Sequence, residues 1–131
     1  MPQLVAQVRD VKPIAIAARR YFMAISERAR PADKLIDLVI AIEALTDESN
    51  LEPQRQRLVQ LLGGGEVLSD QKIRQDFTLV KQARNEIVHE GKIGPNVASL
   101  AGIARMYVDL AIHASVREAI QAARGAGQAS S

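Results

Sequence analysis

The chain has 131 residues, 47% of them apolar, and its 17 Lys+Arg against 15 Asp+Glu leave a net charge of +2. That length fits one domain with a single core, and so small an excess leaves nucleic-acid binding to the local placement of cations rather than to a global field. The absence of cysteine excludes disulfides and thiolate metal sites and fits a reducing compartment, while two histidines, His89 and His113, are too few for a multi-His metal site.

Only Tyr21, Phe22, Phe77 and Tyr107 are aromatic, so the core is aliphatic and rich in alanine. Such a core favours closely packed helices over a β-sandwich, which draws on Val, Thr and aromatics. No segment reads as a signal peptide, since the apolar run "PIAIAA" at 13–18 is short and ends at Arg19 and Arg20. No run reads as long enough to span a membrane. The expectation is a cytoplasmic protein with no membrane contact.

Residues 1–10 read as a short helix or an arm. Pro13 suits a first helical position. Val11, Ile14, Ala18, Tyr21/Phe22, Ile25 and Ala29 then recur at helical steps, and Pro31 ends that helix. The next segment, "DKLIDLVIAIEALT" at 33–46, is apolar on most sides, which marks the central helix of a bundle. "DESNLEP" at 47–53 reads as a polar loop, and "QRQRLVQLLGG" as a short helix stopped by Gly63. The triplet Gly63, Gly64, Gly65 is followed by no Lys-Ser/Thr pair, so it reads as a mobile connection and not a phosphate loop. A fourth helix is capped by Ser69 or Asp70 and ends near Gly91. After Gly94 and Pro95, a last helix carries Val97, Leu100, Ala104, Tyr107/Val108, Ala111 and Ser115 on one face. The expected fold is all-α, a bundle of four to five helices over residues 1–124, with 125–131 as a disordered tail.

The fourth helix holds an anomaly. At roughly 100° per residue, Ile73, Phe77, Val80 and Ile87 fall within about 40° of one line, and Arg84 lies inside that cluster at about 20°. A cation there must snorkel to solvent or find a partner. Glu43, which interrupts the most apolar helix, is the first candidate and Asp37 the second. Asn85 and His89 are four apart and share a helix face. Arg84 and His89 lie about 140° apart on an ideal helix. Convergence of those two asks for a loosened helix end or for a second copy across a symmetry axis.

These residues carry a family resemblance. "RNEIVH" at 84–89 resembles the Arg-x(4–6)-His motif of HEPN domains (higher eukaryotes and prokaryotes nucleotide-binding), with the polar Asn85 directly after the arginine. "KLIDLVIAIEAL" at 34–45 is similar to the second helix of the Apea-like branch, and "LVQLLGG" and "VKQARNEIVHEGK" follow in the order that branch shows. The convincing part runs from Ala18 to Lys92. The resemblance implies a helical homodimer that cleaves RNA without metal or cofactor, in a cleft between protomers. His89 would then act on the ribose 2′-hydroxyl or the leaving oxygen, Arg84 would bind phosphate, and Asn85 would orient histidine or substrate. Glu43 would support Arg84. Imidazole titrates near neutral pH and guanidinium stays charged with a planar fork, so both types suit the task. The setting implied is a defence or toxin–antitoxin system, with an antitoxin or nucleotidyltransferase as partner.

Blander readings stand beside these. His89 also suits a plain last-turn residue before the stop at Gly91, and Arg84 a purely structural cation. A non-catalytic dimerisation or nucleotide-binding module is the alternative function. His113 lies four residues from both Asp109 and Arg117, on a solvated face. Arg19, Arg20, Arg28, Arg30 and "QRQR" at 54–57 also read as solvated charge.

Overall fold

A helix that is apolar on nearly every side must be surrounded by other helices. The segment after Pro31 meets that condition in a computed structural model describing residues 2–63 and 68–129, with side-chain surroundings for 11–63 and 68–125. The elements are α1 (Pro2–Ser26), α2 (Pro31–Thr46), α3 (Leu51–Leu62), α4 (Asp70–Glu90) and α5 (Val97–Ala129). The described residues are all-helical, in a five-helix bundle, and α2 touches each of the other four helices. Its Leu35, Leu38, Val39, Ala41 and Ile42 are buried almost completely.

Local chemistry sets the helix ends. Pro31 starts α2, where a missing N–H costs nothing, and Asp33 sits in the first turn against the positive end of the dipole. Asp47 closes α2 in the left-handed conformation, at φ 54°, which Asp tolerates better than most side chains. Ser69 caps α4 by accepting the Lys72 N–H at 3.1 Å. Gly91 ends it at φ 64°, with its N–H donating to the Ile87 carbonyl. The glycine stop after α3 is also present, as the Gly63 N–H donates to the Val59 carbonyl at 2.7 Å.

Four boundaries differ from the sequence expectation. Pro13 lies inside α1 instead of starting it, since the backbone is helical from Pro2. Pro31 opens α2, while α1 already ends at Ser26. α3 takes Leu51 to Pro53 into its first turn, where proline is tolerated, so the polar loop shrinks to 47–50. α5 continues through the expected tail to Ala129, while Ser130 and Ser131 lie outside the described residues, as do Gly64 and Gly65 of the triplet.

α1 packs on α2 and α5 through Ile14, Ala17, Tyr21 and Ala24. Val11, Ala18, Phe22 and Ile25, part of the stripe that the sequence marks, face solvent. α5 buries Val97, Ala101, Ala104, Tyr107, Val108 and Ala111 against the bundle, and its alanines let neighbouring helices come close. By length and composition the stretch Val97–Gly125 could cross a membrane, which departs from the expectation that no run is long enough. Here its apolar face builds the core of the bundle.

Two polar anchors tie helices together. The Tyr107 hydroxyl, on a buried ring, donates to Asp76 Oδ2 at 2.7 Å and joins α5 to α4. Burial, then the bond to Asp76, pushes the Tyr107 pKa up. Asp37, buried on α2, accepts from Arg28 Nε at 2.7 Å and Arg20 Nη1 at 3.2 Å. These two arginines therefore hold a buried carboxylate and are not merely solvated. The hydrogen bond to Asp37 raises the Arg28 pKa further above its ordinary value.

Candidate functional site

α4 turns one face toward the 47–50 loop and α3, and a groove of about 850 Å³ opens there. Arg84, Asn85 and His89 all line it, together with Glu43 and Lys81. The three motif residues thus share one groove within a single chain, although α4 stays helical through Glu90. The groove takes in both Arg84 and His89 although they lie well apart around the helix, so sharing it requires no second copy.

The buried cation of α4 is Lys81, not Arg84. Lys81 is 7% exposed and donates to Gln54 Oε1 at 2.8 Å and to the Ser49 carbonyl at 3.0 Å. Its ammonium lies 3.5 Å from Glu43 Oε1. The expected pairing of Arg84 with Glu43 or Asp37 is therefore replaced. Glu43 meets Lys81, and Asp37 meets Arg20 and Arg28. The reason is tertiary. The 47–50 loop and Gln54 come down on Lys81 and supply two acceptors beside Glu43 of α2, whereas Arg84 lies about one turn further along α4.

Arg84 is half-buried, as its place in the stripe requires. Its Nη1 donates to Asn85 Oδ1 at 3.0 Å, and its Nε is buried without a partner among the described residues. A buried guanidinium N–H without a partner is an unsatisfied donor, while the rest of the Arg84 side chain reaches the groove. His89 is exposed in the last turn of α4. The neighbouring Gly91 cap holds that turn in place.

Sequence reasoning missed two residues. Lys81 sits about 80° from the Ile73 line, at the edge of the stripe, where a lysine stem can run along apolar surface. That position was a usable signal. Gln54, in a run whose sequence reads as solvated charge, is fully buried, its Nε2 donating to the Glu48 carbonyl at 2.8 Å. No local pattern marked it. Arg57 of the same run forms an exposed pair with Glu118 at 2.8 Å, and His113 is solvated as read, its ring 3.6 Å from Asp109.

The groove is electrically mixed. Glu43, Glu86 and Glu90 line it against Lys81 and Arg84, and among the described residues no Phe, Tyr or Trp does. The available cationic edge is that of Arg84, since Lys81 is already committed to its own acceptors. No family model, curated protein or solved structure matches this chain.

Proposed function

We propose that the chain is a HEPN-type RNA-binding domain that cleaves RNA without metal, with the α4 grooves of two copies forming the working cleft. The observation that supports this most is the gathering of Arg84, Asn85 and His89 on one groove, with the Arg84 Nε buried and without a partner among the described residues. Exposed Val88, beside His89, offers an apolar spot on which a second copy can pack.

The chemistry follows from the residue types. His89 takes the proton of a ribose 2′-hydroxyl. The 2′-oxygen attacks the adjacent phosphorus, and the bond to the 5′-oxygen breaks. That leaving oxygen takes a proton from water, which gives a 2′,3′-cyclic phosphate and a 5′-hydroxyl, and the proton held by His89 returns to the hydroxide so formed. Arg84 presents N–H donors to the phosphate as its charge grows. Asn85 accepts from Arg84 Nη1 and so fixes the fork that meets the phosphate. Lys81 and Glu43 brace the groove floor behind it.

The test is cleavage of single-stranded RNA in EDTA. Wild type cuts, His89→Ala does not, and a substrate with a 2′-deoxy residue at the cut position resists. RNA binding without any cutting, with or without divalent metal, would make the alternative the better account. That alternative is a non-catalytic dimerisation or nucleotide-binding module of a defence or toxin–antitoxin system. One observation favours it: among the described residues three carboxylates and no Phe, Tyr or Trp line the groove, a setting poorly suited to a long polyanion.

A further inference from the structure

We propose that the exposed face of α1 docks an amphipathic helix of a partner protein, one whose apolar seam is flanked by Glu or Asp. This inference does not rest on the nuclease reading, since its residues lie outside the α4 groove.

Val11, Ala15, Ala18, Phe22 and Ile25 follow one another at steps of 4, 3, 4 and 3. That is the 3.5-residue repeat of a helix–helix seam. All five fall within about 40° of one line along α1, over about 21 Å of helix. None is covered by the bundle: Val11 is 55% exposed, Phe22 58% and Ile25 38%, and both alanines are exposed. The bundle uses a different face of the same helix, Ile14, Ala17, Tyr21 and Ala24. α1 therefore carries two apolar faces and satisfies one. Scattered exposed apolar residues need no explanation, but an uninterrupted register does.

The composition of the seam selects a helix as occupant. Ala15 and Ala18 at its centre leave room for the knobs of a facing helix. Insertion into a lipid surface gains from bulky apolar residues, and alanines in mid-stripe work against it. Charge then selects the kind of helix. Residues 11–26 contain Lys12, Arg19 and Arg20 and no acid. Arg20 turns to Asp37, while Lys12 and Arg19 are exposed at the positions flanking the seam. Beyond Ile25 the strip runs into a groove of about 260 Å³ lined by Ala98 and Gly102, with Lys34 and Arg105 also on its wall and no acid. A second copy of the chain would bring the same cations and no carboxylate to this face. In an antiparallel pair it would set Arg19 against Arg19. An acid-flanked helix meets Lys12, Arg19, Lys34 and Arg105 with opposite charge.

The test uses the full chain and two synthetic peptides of three heptads, with Leu at the seam positions. One carries Glu at the flanking positions and its twin carries Lys there. Fluorescence anisotropy should show the Glu peptide binding and the Lys twin weaker by about tenfold or more. Phe22→Glu should remove binding of the Glu peptide, while Leu79→Glu, an exposed position on α4, should keep it. Circular dichroism verifies the helix content of each variant. Lys12→Glu with Arg19→Glu should reverse the preference between the peptides. Equal binding of both peptides, or of neither, would overturn the proposal. So would self-association of the chain that Phe22→Glu abolishes, which would make a second copy the occupant. Capture by phosphatidylserine vesicles that depends on Phe22, without a peptide preference, would assign the face to a membrane.

Discussion

Lys81 Nζ donates to Gln54 Oε1 at 2.8 Å with both residues buried, and this bond joins α4 to α3 beneath the candidate groove. Lys81→Met keeps the apolar stem and removes the ammonium. It leaves Gln54 Oε1 and the Ser49 carbonyl without their donor, at a cost of about 1–3 kcal/mol. Arg84→Met, with no carboxylate to lose, should cost under about 1 kcal/mol. Urea melts of the two variants check the order. A larger loss for Arg84 would contradict the assignment of Lys81 as the structural cation.

A second prediction concerns which half of an ion pair is buried. Asp37 is 3% exposed, whereas its partners Arg20 and Arg28 reach solvent. Removing both arginines strands a buried carboxylate, while removing the carboxylate leaves two cations that can turn outward. The double variant Arg20→Met, Arg28→Met should therefore melt lower than Asp37→Asn in thermal scans at neutral pH. The reverse order would mean that Asp37 reaches water in the folded protein.

The pH response of Tyr107 has a definite sign. Its pKa is raised in the folded chain, through burial and then the bond to Asp76. In the unfolded chain the phenol ionises near pH 10. Stability from this group is thus fully present below about pH 10 and falls as pH rises beyond it, because only the unfolded state releases the proton. Denaturant melts between pH 9 and pH 11 should show a steeper fall for wild type than for Tyr107→Phe.

At the end of α4, Gly91 holds φ 64° with open space where a Cβ would go. The cost of Gly91→Ala is therefore conformational, about 1–2 kcal/mol. The last turn, which carries His89, should fray. Amide exchange at residues 87–90 should quicken while exchange at the buried α2 positions changes little.

The cleavage reading makes its own demand on Arg84. Arg84→Lys keeps the charge and loses the planar fork, so RNA cleavage should fall by roughly tenfold or more, the equivalent of one charged hydrogen bond. Melting should barely change. Undiminished cleavage would place phosphate recognition elsewhere.

Much of this architecture was legible as a pattern. The apolar run of α2 from Leu38 to Ile42, the Ser69 cap, the stops at Gly63 and Gly91 and the all-helical fold follow from periodicity and capping chemistry, which act within a few residues of each other. The anomaly of a half-buried Arg84 was also readable, because a position in an apolar stripe implies burial whatever surrounds the helix. Tertiary structure decided the partners. Lys81 takes Glu43 because the 47–50 loop and Gln54 approach it, and Asp37 draws in Arg20 and Arg28 from the far end of α1 and the turn beyond. Tertiary structure also decided which face of α1 is core. Both faces carry helical apolar spacing, and only the position of α2 and α5 leaves Phe22 outside and Tyr21 within. Spacing is a property of one helix, whereas a salt bridge or a buried face belongs to two, and their relative placement depends on contacts far apart in the chain.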